Sequence, residues 1–146
     1  MMMPSFWSQI VKGWAYIGKG QNDSAVTAMR QAAALSNDLP FADAALAHAL
    51  ARAGKTAEAR KLLDALIQQS IKGYVSAYDI AIVYAGLGDK DQAITWLRKA
   101  LGERSMFAVH MTWDARLDGL RADPRFQELV RSLGLPAGPE QKGPVA

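Results

Sequence analysis

Ala81-Ile82-Val83-Tyr84-Ala85-Gly86-Leu87-Gly88-Asp89-Lys90-Asp91-Gln92-Ala93-Ile94-Thr95-Trp96-Leu97-Arg98-Lys99-Ala100 is an apolar segment, a glycine turn and a second segment with apolar residues at helical spacing. The same pattern stands 34 and 68 residues upstream: Gly88 aligns with Gly54 and Gly20, Ala93 with Ala59 and Ala25, Leu97 with Leu63 and Met29, and Ala100 with Leu66 and Ala32. Ahead of the turn the register aligns Ala81 with Ala47 and Gly13, and Tyr84 with Leu50 and Tyr16. Each column has a physical reason. The glycine ends the first helix in the left-handed conformation that a tight turn needs, so the next helix runs back antiparallel. Small residues in the Gly13 and Ala25 columns let the two backbones approach, and Tyr16, Met29 and their counterparts fill the space around that contact. The unit is a helical hairpin, repeated three times.

Composition agrees with helices throughout. Half of the 146 residues are apolar, 21% are charged and 8% are aromatic, which excludes a disordered or fibrous chain and leaves room for one domain with its own core. Prolines stand at 4, 40, 124, 136, 139 and 144, so the 83 residues from Phe41 to Asp123 have none, and alanine is the commonest residue there. Seventeen basic and fourteen acidic side chains, interspersed, give a net charge of +3 and no concentrated footprint for a nucleic-acid backbone. The lack of cysteine excludes disulfides, thiolate metal sites and thiol nucleophiles. Met1 to Ser5 has no basic n-region and no signal-length apolar run, and no segment approaches a membrane span. The expected location is the cytoplasm, with neither nucleic acid nor membrane as a partner.

The period and the columns resemble the tetratricopeptide repeat, whose consensus has a small residue at position 8, an aromatic at 11, Gly at 15 and Ala at 20 and 27. In that register the repeats cover about 6–39, 40–73 and 74–107. The resemblance implies an all-α fold, a right-handed superhelical stack of helix-turn-helix hairpins. Departures fall at position 4 (Gln9, Asp43, Ala77), at position 27 of repeat two (Leu66) and at position 32 (Asn37, Ile71, Ser105). The stretch from Tyr74 to Asp89, with the ending Asp123-Pro124-Arg125-Phe126-Gln127-Glu128-Leu129-Val130, is similar to the C-terminal repeat regions of bacterial signalling proteins. In those proteins such regions follow winged-helix, kinase or cyclase domains, none of which is present, so the chain is expected to be a stand-alone module or a piece of a longer ancestor.

Beyond the repeats, Ser105 to Thr112 is expected to start a seventh helix, with Leu117 and Leu120 packing back on repeat three. Asp123 caps and Pro124 opens a last helix that ends at Gly134, with Pro136 beyond. Its apolar positions Phe126, Leu129, Val130 and Leu133 make it amphipathic, suited to cover the open end of the stack. The expected organisation is one domain over 1–135, with a cap at 108–135, and a disordered tail of Pro, Gly and polar residues at 136–146.

Little in the sequence points to catalysis. Gly18-Lys19-Gly20 and Gly86-Leu87-Gly88 lack the third glycine and the preceding strand of a phosphate loop, and their 68-residue separation, twice the period, marks them as turns. His48 and His110 have no Cys or His at ligand spacing. Asp89 and Asp91 open a second repeat helix, where they cap exposed amides and favour the helix dipole. No catalytic serine, Walker or zinc-protease motif occurs, so no cofactor, no metal and no enzymatic activity are expected.

What remains is a surface. The resemblance places positions 2, 5, 9 and 12 of each repeat on the concave face: Trp7, Ile10, Trp14 and Ile17, then Phe41, Ala44, His48 and Ala51, then Val75, Tyr78, Ile82 and Ala85. That is an apolar, aromatic-rich groove. The Lys, Asn and Arg that clamp a terminal carboxylate in chaperone-binding members are missing from the first two repeats, Arg52 at position 13 apart. Two uses suit the stripe: a partner helix or peptide in the groove, with Trp7, Trp14 and Tyr78 as anchors, or burial by neighbouring helices and the chain's own C-terminal helix. The functional expectation is a non-enzymatic adaptor for a protein or peptide, and its rival is a self-association module. Only five residues precede Phe6, too few for a shielding helix, so Phe6, Trp7, Ile10 and Trp14 are expected on an open end that forms a homodimer contact, unless lost upstream repeats once covered it.

Deleting residues 123–146 should uncover the apolar edge of repeat three and lower solubility, whereas deleting 136–146 alone should change little. Equal behaviour of the two truncations in a sedimentation assay would mean that the last helix is not a cap.

Overall fold

The structure, a computed structural model, describes residues 2–37, 39–73, 75–103 and 110–133. Among the described residues seven α-helices follow in order: α1 (Met2–Gly18), α2 (Asn22–Leu35), α3 (Pro40–Arg52), α4 (Thr56–Ile71), α5 (Ala77–Leu87), α6 (Lys90–Gly102) and, after the 3-10 helix Ala115–Leu120, α7 (Pro124–Ser132). Among the described residues there is no strand. The helices pair as three hairpins, α1 with α2, α3 with α4 and α5 with α6, and consecutive hairpins stack.

The 34-residue period survives down to single hydrogen bonds. Gly20, Gly54 and Gly88 take φ of 75°, 81° and 80°, and the amide of the next residue donates back to one column of carbonyls: Gln21 to Tyr16 at 2.8 Å, Lys55 to Leu50 at 2.9 Å and Asp89 to Tyr84 at 3.0 Å. These are Schellman closures, which satisfy carbonyls that a helix end otherwise leaves bare. Between hairpins the left-handed turn residues are Asn37 (φ 59°) and Gly73 (φ 85°).

Inside the hairpins the small columns are buried as their spacing requires. Ala25, Ala59 and Ala93 are all fully buried, and Met29, Leu63 and Leu97 pack beside them. A Cβ on Gly13 would lie 2.6 Å from the Met29 Cε, so that contact tolerates nothing larger than glycine unless the methionine shifts. Phe6 and Ile10 do not stand open at the N-terminal end: they are buried in a cluster with Ala25, Val26, Met29 and residues of α3. The face of α1 that carries them turns inward, and Trp7 and Val11 are left exposed.

At the other end, the Asp123 carboxylate accepts the Arg125 amide at 2.8 Å, Pro124 opens α7, and Phe126, Leu129 and Val130 are buried against Ile94, Leu97, Leu117 and Leu120. Arg125 ties this helix to the first turn of α6 by a 2.8 Å ion pair with Asp91. Helix α7 ends at Ser132, and Gly134 and the expected tail lie outside the described residues. Of the expected seventh helix from Ser105, residues 105–109 also lie outside them, and 110–112 form a 3-10 turn.

Replacing Ala93 with Leu should lower stability by about 1–3 kcal/mol, the usual cost of overpacking a close helix contact. An unchanged melting temperature would mean that α5 and α6 are not close-packed there.

Candidate functional site

The first helices of the hairpins form the inner face, and they are not evenly spaced. Helices α3 and α5 lie together along their length, whereas α1 touches α3 only briefly. Gly86 permits the first contact, because a Cβ there would come within 2.8 Å of the His48 ring and 3.3 Å of the His48 carbonyl. Between α1 and α3 the chain places large rings instead: Trp7 and Trp14 pack on Phe41, with centroids 5.8 and 6.2 Å apart. Rings of that size hold two helices apart, and a cleft opens beside them.

The segment after the repeats returns into this inner face. Asp114 is its anchor: one carboxylate oxygen accepts a hydrogen bond from the Tyr78 hydroxyl at 2.7 Å, and the two oxygens accept from Nε and Nη2 of Arg116 at 3.0 and 2.8 Å. The guanidinium of Arg116 then lies 5.4 Å from the Trp14 ring centre, a cation–π distance. Arg121 fastens the turn from outside, donating to the carbonyls of Thr112 and Asp114, each at 3.0 Å. Met111, Leu117 and Leu120 fill the space over Tyr78, Ala81 and Ile82. The return segment thus covers the α5 side of the inner face and leaves the α1 side open. Two adjoining hollows remain on either side of Arg116, of about 620 and 480 Å³. The larger lies between Trp14, Ile17, Arg52 and Trp113; the smaller holds Trp7, Phe41 and Asp79.

Among the residues expected to line a groove, Trp7, Trp14, Phe41 and Tyr78 border these hollows. Trp7 is 45% exposed, and Trp14 and Phe41 are half-buried. Ile10, Ala44, His48, Tyr78 and Ile82 are buried in the folded chain and present no open surface, although Tyr78 borders the smaller hollow. The sequence placed Leu117 and Leu120 back on repeat three, as they are, without pointing to Asp114 or Arg116, yet the return segment carries a local signal that occurs twice: Asp114-Ala115-Arg116-Leu117 and Asp123-Pro124-Arg125-Phe126. In both, the aspartate caps the amide two residues on, grips the arginine of that same residue, and is followed by a buried apolar side chain.

Electrostatically the floor is strained in two opposite directions. Burial, with the charges of Arg116 and Arg52, holds the His48 imidazole down at about 3, so it is neutral, and neither ring nitrogen has a hydrogen-bond partner among the described residues. Burial also pushes the Asp79 carboxyl up to about 6, Arg116 opposing and Asp114 adding to the rise. At Asp114 burial likewise acts upward, but the hydrogen bonds and charge of Arg116 outweigh it and keep the carboxyl below its ordinary value. No group of three or more potential metal ligands converges among the described residues. The arrangement positions charge and rings along an opening.

The signs of the two shifts give a pH test. The unfolded His48 gains a proton below about 6.5 and the folded one does not until about 3, so its burial costs stability increasingly as the pH falls from 7 to 4. His48→Leu should therefore gain on the wild type over that range. Asp79 behaves oppositely: its folded form must ionise at about 6, against an ordinary 3.8, so the penalty is present above pH 6. Asp79→Asn should be more stable than the wild type by about 1–3 kcal/mol at pH 7 and by progressively less toward pH 4. Melting differences that do not change with pH would mean that neither group is shifted. Separately, Tyr78→Phe removes a hydrogen bond to a charged group and should cost about 1.5–3 kcal/mol; an unchanged melt would mean that Asp114 is not seated on α5.

A family model for the tetratricopeptide repeat matches residues 10–73 and again residues 44–108, so two overlapping windows cover the hairpins α1 to α6 apart from the start of α1. No curated protein and no solved structure matches the chain. No helix among the described residues is long and apolar enough to cross a membrane. Repeats of this kind form non-catalytic scaffolds that mediate contacts between proteins. With the matched windows spanning most of the sequence and each hairpin closed by the same glycine turn at the same spacing, the chain belongs to the tetratricopeptide repeat family.

Proposed function

We propose that the chain is a non-enzymatic interaction module that holds a segment of a partner protein in the opening between α1 and the return segment. The observation that carries this reading is the aromatic wall of Trp7, Trp14 and Phe41, which the chain's own fold leaves partly uncovered beside the larger and smaller hollows. Large aromatics with a preset geometry are the commonest anchors of protein interfaces, because they bury much area at little cost in side-chain freedom. The site of binding on this reading is narrower than the full concave stripe, since Ala44, His48 and Ile82 are already buried. The similarity of 74–89 and 123–130 to repeat regions of bacterial signalling proteins supports a regulatory setting, in which the cytoplasm is the working compartment.

Self-association through α1 is the second reading. It is supported by Trp7 and Val11, 45% and 59% exposed one turn apart on the same helix. Two of the residues it would draw on, Phe6 and Ile10, are buried within the protomer, so the surface left to a dimer is small.

Peptides selected from a displayed random library against the immobilised protein should lose about tenfold or more in affinity on Trp7→Ala or Phe41→Ala, measured by fluorescence polarisation. A library that yields no binder, or binders indifferent to both changes, would contradict the adaptor reading. Light scattering on the wild type and Trp7→Glu separates the second reading: it requires a dimer at tens of micromolar that the charge dissolves.

A further inference from the structure

The smaller hollow holds a carboxylate that the fold itself does not use. Among the described residues its border carries two formal charges, Asp79 of α5 and Arg116 of the return segment. Arg116 is matched at 2.8 Å by Asp114, so Asp79 is left without a counter-charge in contact. It makes no hydrogen bond or ion pair with another described residue; Arg116 and Asp114 act on it only through space, and with opposite signs. The plain account of Asp79 is that an acid suits the first turn of a helix. Asp23, Glu58 and Asp91 serve that purpose from exposed positions, whereas Asp79 is turned inward far enough for burial to raise its carboxyl. The repeat register makes it an exception too, since the same column holds Val11 and Ala45 in the preceding repeats. A buried charge in an apolar column, stabilising nothing in the folded chain, points to a use outside it.

Around that carboxylate the hollow is walled by rings. Trp7, Trp14 and Phe41 form one side, with Trp7 45% exposed, and Tyr78 borders the hollow as well. Ring faces carry negative potential, so rings and a carboxylate in one cavity favour the same guest, a cation. The chain satisfies one of its own cations in this way: the Arg116 guanidinium is gripped by the Asp114 carboxylate and lies 5.4 Å from the Trp14 ring centre. A basic side chain entering past Trp7 would meet the same two elements in Asp79 and the exposed indole. An acidic segment would meet Asp79 with like charge, and a purely apolar one would bury the carboxylate without a partner, which is costly.

We infer that the segment held by this module is basic, with a Lys or Arg side chain lodged in the smaller hollow, paired to the Asp79 carboxylate and packed on the Trp7 and Phe41 rings. The inference rests on the adaptor reading and adds the chemistry of the partner. The overall field does not favour such a partner, because the chain itself carries a net charge of +3, so a preference for bases would report the local site. The charge lies within the partner's chain, and both ends of a test peptide are therefore blocked.

The experiment is an array of randomised octapeptides, acetylated and amidated, probed with the wild type, Asp79→Asn and Trp7→Leu. Asp79→Asn removes the charge and relieves a buried carboxylate, so it should melt no lower than the wild type at pH 7 while it loses binding. Trp7→Leu keeps an apolar side chain at an exposed position and removes the ring. The wild type should enrich for peptides with Lys or Arg. Asp79→Asn should bind those peptides about tenfold more weakly, with the preference for bases lost, and Trp7→Leu should weaken them by about threefold or more. Binding of the wild-type set should also weaken with added salt. Peptides bound with no preference for bases, or a preference for bases that survives Asp79→Asn, would overturn the inference and leave the adaptor reading standing. An array with no binder of any composition would overturn both.

Discussion

Close approach of helix backbones is the constraint from which the rest of this structure follows. Hairpins can stack only where the side chains between axes are small, and the chain supplies Gly13 against Met29, buried alanines at 25, 59 and 93, and Gly86 against His48. Where that supply stops, the stack opens: Trp7, Trp14 and Phe41 stand between α1 and α3, and the cleft exists because those rings cannot be packed flat into a helix contact. The same shortage of small residues explains the return segment. An inner face carrying Tyr78, Ala81 and Ile82 would expose a wide apolar patch, and Met111, Leu117 and Leu120 remove it from water.

Polar groups decide how that cover is seated. Leu117 and Leu120 would pack on any apolar floor, but the Asp114 carboxylate can satisfy Tyr78 and Arg116 together in one place only, and Arg121 fixes the carbonyls of the turn around it. The pairing also keeps Arg116 from being a buried lone charge while it sits against the Trp14 ring. The larger hollow and the cover are therefore parts of one object: its walls come from α1, the end of α3 and the return segment.

The fold was legible because glycine and alanine columns report backbone requirements directly: a left-handed turn or a close contact admits few alternatives, and the period of 34 repeats them three times. The last helix was legible for a similar reason, through the Asp123 cap and Pro124. The site was less so. Positions 2, 5, 9 and 12 give the direction in which side chains point, and not what lies over them, so the sequence left open whether Ala44, His48, Tyr78 and Ile82 face a partner or are covered, and in the structure they are buried. Ala44 is covered by α4 and α5, whereas the cover over Tyr78 and Ile82 is seated by a contact 36 residues away in the chain, Tyr78 to Asp114, which no local period encodes. Leu117 and Leu120 pointed back to repeat three, and the twin Asp-x-Arg segments at 114 and 123 were a further hint. Those segments show that the return segment has a defined local structure, though not where it docks.

The central claim is that the return segment is seated in the inner face with Arg116 between Asp114 and the Trp14 ring. A nuclear Overhauser spectrum of the labelled protein tests it most directly. The account predicts cross-peaks from the Arg116 side chain to the Trp14 indole and from the Leu117 and Leu120 methyl groups to core side chains of α5, alongside the helical contacts of the three hairpins. Hairpin contacts present with those cross-peaks missing would mean that the inner face is open along its whole length, and would contradict the account.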